Sequence, residues 1–148
     1  MFLLVFAAAI APALHAVDWE TDPASADPEY AAGKRAIEAR DWNLAIKSFT
    51  AAALRAPDNA DIQNYLGYAN RNSGNLDAAF RHYESALKLN PKHRGAHEYI
   101  GEAYLMKKDL ANAEKHLAAL DRLCLLPCEE YADLKAKIAA YKQEERRR

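Results

Sequence analysis

Cys124 and Cys128 are the only cysteines in the chain, and they stand four residues apart astride Pro127. Two thiols at that spacing have three outcomes: a disulfide, a pair of buried thiols, or soft-metal and redox chemistry. Two sulfurs alone make an incomplete metal site, and no Met or His adjoins them in sequence. His93 and His97 are also four apart and share a helix face, with Glu98 and Glu102 following. A metal site there lacks a third ligand of the right kind, and the carboxylates read as a solvated face, so no metal site is assigned. His82 and His116 occupy equivalent positions thirty-four residues apart and are expected on an outer surface. The four serines, Ser25, Ser48, Ser73 and Ser85, stand in no nucleophile-elbow motif. With no phosphate-cradling loop and no nucleophile–base pair, the chain reads as a non-enzyme that needs no cofactor.

The elements that hold these residues follow a repeat. From Ala60 to Lys92 the chain reads ADIQNYLGYANRNSGNLDAAFRHYESALKLNPK, two amphipathic helices joined at Ser73-Gly74-Asn75 and closed by Asn90-Pro91. The pattern recurs in register on both sides. Gly33, Gly67 and Gly101 are thirty-four residues apart, as are Ala45, Ala79 and Ala113; Trp42, Leu76 and Leu110; Phe49, Tyr83 and Leu117; and Ala52, Ala86 and Leu120. Pro57 and Pro91 keep the interval; a third proline would fall at Leu125, and Pro127 comes two residues late. Glycine in a helix costs about 1 kcal/mol, so three glycines in one slot mark a place where another helix must come close. The alanines allow the same approach from the second helix. Phe49, Tyr83 and Leu117 are then expected to fill the space between units. Helices are expected over Tyr30 to Arg40, Asn43 to Arg55, Ala60 to Asn72, Leu76 to Leu89, Arg94 to Lys107 and Leu110 to Leu123, with Asp58 or Asn59 as an N-cap. Glu129 to Glu145 forms a further amphipathic helix with Tyr131, Leu134, Ile138 and Tyr141 on one stripe; its acidic start and basic end suit the helix dipole.

Over roughly Glu29 to Leu126 this pattern resembles the tetratricopeptide repeat family. The resemblance implies an all-α architecture, an α-solenoid of three helix–turn–helix repeats (about 26–59, 60–93 and 94–127) with a C-terminal capping helix at 129–145. It implies a concave groove lined by the first helix of each repeat, which in this family takes an extended peptide or a partner helix. The matching positions are Asp27, Tyr30, Lys34, Ile37 and Glu38, then Asp61, Asn64, Tyr68, Arg71 and Asn72, then Glu98, Glu102, Leu105 and Met106. Lys34 and Arg71 make a cationic middle, Tyr30 and Tyr68 offer flat anchors, and Glu98 and Glu102 make the far end acidic. Tyr68 and Arg71 are the leading anchors, since Tyr and Arg often carry interface energy. One family variant clamps the C-terminal carboxylate of chaperones; here its slots hold Tyr30, Lys34, Tyr65, Gly95 and Tyr99, and four of the five lack the required charge or amide.

Outside residues 30–148 lie two further segments. Met1 to Ala16, MFLLVFAAAIAPALHA, carries no Asp, Glu, Lys or Arg and reads as a secretory signal cleaved after Ala16, although no positive residue precedes the apolar run. Residues 17–29, VDWETDPASADPE, hold five acidic residues and two prolines and read as a linker; Trp19 is either loosely packed or a docking arm. Export to a periplasm or a similar oxidising compartment favours the disulfide. The CxxxC spacing also resembles copper-binding motifs of some exported thiol proteins, which leaves a thiol or copper-handling role as the alternative function. Net charge is -1, and no basic stripe with interleaved aromatics occurs, so nucleic acid is not expected as a partner. Membrane association follows only if the leader stays uncleaved. The preferred reading is a protein-interaction adaptor whose partner is a protein or peptide.

Overall fold

A computed structural model describes residues 26–126 and 128–147. The leader, its cleavage point and Trp19 lie outside the described residues. Seven α-helices follow one another: α1 (Pro28–Glu38), α2 (Trp42–Arg55), α3 (Ala60–Asn72), α4 (Leu76–Leu89), α5 (Arg94–Met106), α6 (Leu110–Leu123) and α7 (Glu129–Arg147). No strand occurs among the described residues. Helices α1/α2, α3/α4 and α5/α6 form antiparallel hairpins; α2 packs on α3, α4 on α5, and α7 closes the stack against α5 and α6. The first helices α3 and α5 also touch directly, along the inner face. Among the described residues no helix is long and apolar enough to cross a membrane.

Local chemistry sets the helix boundaries. Asp27 caps α1 by accepting from the backbone N–H of Glu29 (2.7 Å) and Tyr30 (3.2 Å), and Pro28 enters the first turn, where its missing N–H costs nothing. Residues 28 and 29 are therefore helical rather than the end of the acidic linker. The Arg55 guanidinium bridges to Asp27 at 2.6 Å and holds its carboxyl well below the usual carboxylate range. Asn59, not Asp58, caps α3. Within each hairpin the chain turns through one left-handed residue: Arg40 (φ 56°), Gly74 (φ 86°) and Lys108 (φ 59°). The next N–H then reaches back five residues to a carbonyl, Asp41 to Ala36, Asn75 to Asn70 and Asp109 to Tyr104. This is a Schellman C-cap used three times, with glycine in only one copy.

The core runs as three clusters along the stack. The first joins Ala36, Ala45, Phe49, Ala52, Ile62, Leu66 and Ala69. The second is built on Ala79, Tyr83, Ile100 and Ala103, and the third on Ala113, Leu120, Leu134 and Ile138. The repeated glycines allow ring-on-backbone contact. A Cβ on Gly33 would lie 2.8 Å from the Phe49 ring, and one on Gly67 would lie 2.5 Å from the Tyr83 ring. The third copy departs from the expected pattern. Gly101 faces Leu134 of α7, at 2.7 Å from its would-be Cβ, while Leu117 is only partly buried beside the third cluster. Leucine is shorter than Phe or Tyr, and the capping helix fills the gap.

Candidate partner-binding groove

At the first repeat the inner face is aromatic. Tyr30 meets Phe49 and Tyr65 edge-on, with centroids 5.7 and 5.9 Å apart, and Phe49 stacks on Tyr65 at 5.2 Å. Lys34 donates to the Tyr65 hydroxyl at 2.6 Å and lies 4.3 Å from that ring's centre, so its charge rests on an aromatic face. Ile37 packs on the first core cluster.

The middle of the groove differs from the open cationic surface expected. Arg71 donates to the Tyr83 hydroxyl (3.3 Å) and to Glu102 Oε2 (2.5 Å), and its guanidinium lies between the rings of Tyr68 and Tyr99, 5.4 and 5.7 Å from their centres. Lys137 of α7 donates to the other Glu102 oxygen. The Arg71 and Glu102 side chains are only 12% and 8% exposed. Arg71 is thus an internal strut tying the second repeat to the third, and Glu102 is neutralised rather than part of an acidic rim. Tyr68 remains half-buried on the inner face, packed against Tyr99 at 4.9 Å and edge-on to Trp42 at 6.1 Å. Asn72 is exposed one turn further on, its amide donating to the Tyr68 carbonyl at 2.8 Å.

At the far end Leu105 packs against the third cluster. Glu98 is buried without an ion-pair partner within 4 Å among the described residues. Burial, reinforced by the neighbouring Glu102 carboxylate, pushes its carboxyl up to about 7. Asn64 is 5% exposed and stands in the same slot of the preceding repeat.

The histidines separate. His93 caps α5 through Nδ1, which accepts from the Ala96 N–H at 3.1 Å, and its Nε2 meets Asp61 at 2.9 Å. His97 turns to His116 (Nδ1 to Nδ1, 2.9 Å) and to the Pro91 carbonyl (3.0 Å). His93 and His97 therefore do not converge on one point. His82 and His116 are half-buried rather than on the outer surface: His82 bonds Gln63 at 2.9 Å, and His116 stacks on Tyr104. Both join the two helices of one hairpin across nineteen residues. Burial and the neighbouring His97 push His116 down to about 4. The sulfurs of Cys124 and Cys128 are bonded, with Cα atoms 5.8 Å apart, at the turn into α7 where the repeat's proline is missing.

Trp42 and Lys137 were not named as groove residues on sequence grounds, and Tyr65 and Tyr99 were named there only as slots of the carboxylate clamp that this chain does not match. Tyr65 and Tyr99 stand thirty-four apart in the slot beside Asn64 and Glu98, so the repeat register itself carried their signal. Lys137 lies in α7, beyond the repeat, and had none.

The tetratricopeptide repeat profile matches residues 30–83 and again 71–124. Among solved structures, the Yersinia enterocolitica type III secretion translocator chaperone SycD superimposes with a TM-score of 0.71 at 21% identity, over 80% of this chain and 83% of that one. The TPR2B domain of yeast Sti1 in its pHsp70 complex gives 0.73 at 20% identity, over 82% and 97%. PcrH in complex with the chaperone binding region of PopD gives 0.71 at 21% identity, over 82% and 93%. At these identities the likeness shows the fold; the profile match, which spans more than half of the sequence, together with three glycine-centred hairpins in register, shows that the chain belongs to the tetratricopeptide repeat family.

Proposed function

We propose that the protein is a non-catalytic adaptor that holds an extended segment of a protein partner in its concave groove. The observation that carries this reading is the Tyr68–Tyr99–Trp42 aromatic group on the inner face, half-buried beside polar, reachable Asn72. Such rings offer rigid apolar area with a polar edge, the kind of surface that carries interface energy. Similar folds in PcrH and Sti1 are described in complexes with the chaperone binding region of PopD and with pHsp70, which supports a peptide as the ligand class. Export and a structural disulfide belong to the same proposal: a closed Cys124–Cys128 loop fixes the entry angle of α7, which in turn supplies Lys137 to the groove. Copper handling through the two sulfurs requires them to be free thiols.

The test is a crosslinking pull-down from the native source, comparing wild type with Tyr68→Ala. Arg71 is left intact because of its internal role. Partners retained by wild type and lost by the variant support the groove; identical recovery refutes it. Intact-mass measurement with and without reductant and copper separates a disulfide from a copper site.

A further inference from the structure

We infer that the C-terminal end of the groove is an acidic pocket that takes the guanidinium or ammonium group of a basic side chain on the bound partner. This deepens the adaptor reading and rests on it. A cavity of about 320 Å³ lies between the N-terminal turns of α3, α5 and α7. Five carboxylates line it: Asp61, Glu98, Glu129, Glu130 and Asp133. Helix dipoles explain only some of them. Asp61, Glu129 and Glu130 sit in first turns, where negative charge is favoured, but Glu98 and Asp133 are each the fifth residue of their helices. Asp61 pairs with His93, and Glu130 pairs with Arg94 at 3.5 Å. Glu98, Glu129 and Asp133 have no ion-pair partner within 4 Å among the described residues.

A second, independent feature points to a donor ligand. Asn64 lines the same cavity, is 5% exposed, and its Oδ1 has no hydrogen-bond partner among the described residues. A buried acceptor left unsatisfied beside unpaired carboxylates fits a ligand that only donates. The chemistry favours an organic cation over a metal ion. No three acidic, His or Cys groups among the described residues converge as metal ligands do. The cavity is also far wider than one ion, whose place a single water of roughly 30 Å³ would fill. Tyr99 forms part of the wall and offers the aliphatic stem of Arg or Lys an apolar edge, whereas the Tyr65 ring, also in the lining, is already covered by Phe49 and Lys34. Gly95 opens one side; a Cβ there would come within 3.3 Å of the Asn64 amide nitrogen.

The experiment is a titration of the isotope-labelled protein with acetyl-Ala-Arg-Ala-amide, followed by NMR. The expected result is saturable shifts confined to Asn64, Gly95, Glu98, Tyr99 and Asp133. Binding should weaken about tenfold with the neutral citrulline tripeptide, and by a similar factor in Glu98→Gln with Asp133→Asn. That double variant removes unpaired charge and so retains the fold, which its spectrum verifies. Absence of shifts at this site, equal shifts from the citrulline peptide, or the same shifts from magnesium or calcium chloride at lower concentration overturns the pocket. If the arginine site fails while Tyr68→Ala still abolishes partner capture, only the pocket falls. If the arginine site holds while Tyr68→Ala changes nothing, the pocket stands as a cation site and the groove reading falls.

Discussion

Replacing Arg71 by methionine is expected to destabilise the fold by about 2–4 kcal/mol, because it leaves the buried Glu102 carboxylate with Lys137 alone. The two charges of the Arg71–Glu102 pair lie roughly 4 Å apart, worth about 4 kcal/mol of attraction at an effective dielectric near 20. Desolvation offsets much of this, since the side chains are 12% and 8% exposed. Lys137 is a weak substitute, with its own side chain 51% exposed. Glu102→Gln is expected to cost less, about 1–2 kcal/mol, because the amide oxygen still accepts from the guanidinium and the Tyr68 and Tyr99 rings still flank it. The double variant should then cost less than the two single changes together, with a coupling energy of about 1–3 kcal/mol. Urea unfolding followed by circular dichroism measures all four proteins. Additivity within about 0.5 kcal/mol would show that the pair does not couple and would refute the strut.

Gly67→Ala should destabilise by about 2 kcal/mol net, since the new methyl meets the fully buried Tyr83 ring at 2.5 Å and overpacking outweighs the gain in helix propensity. Lys108→Gly should stabilise by about 0.5–1 kcal/mol, because glycine adopts the left-handed φ of 59° without a Cβ clash; urea midpoints check both. Thermal midpoints between pH 4 and 8 should show two opposed limbs. Glu98 binds its proton more tightly folded (about 7) than unfolded (4.5), so its contribution declines as pH rises through that window, with Glu102, Glu130, Asp133 and Lys137 around it. His116 binds its proton less tightly folded (about 4) than unfolded (6.5), so stability is lost as pH falls from 6.5 to 4. Glu98→Gln should flatten the first limb and raise stability at pH 8 by about 1–2 kcal/mol, discounted because the cavity is open to water; His116→Gln should flatten the second. Cys128→Ser, or reductant on the wild type, should cost up to about 2 kcal/mol for so small a loop, seen as matching falls in midpoint.

All seven helices and the hairpin pairing were legible because the physics is local and, through the first six, repeated. Gly33 and Gly67 must face a ring, and three such glycines in register fix the phase of the whole stack. The first helix began two residues earlier than expected because the Asp27-Pro28 cap is written in the same acidic letters as the linker before it. What was not legible was pairing between distant helices. Periodicity places Arg71 and Glu102 on the inner face but does not say that they neutralise each other across thirty-one residues, or that Lys137 joins from thirty-five residues beyond. The same holds for Leu134 on Gly101, and for His116, whose slot read as surface until His97 was seen to meet it. The acidic pocket was half visible, through Asn64 and Glu98; its other wall belongs to α7, which lies outside the repeat.

The central claim, that the inner face of the first helices holds the partner, is tested most directly by photo-crosslinking at two single positions. A benzophenone side chain at Asn72, exposed beside Tyr68, should capture the partner, whereas the same group at Leu54 on α2, 81% exposed, should not. Capture from Leu54 and none from Asn72 would contradict the groove.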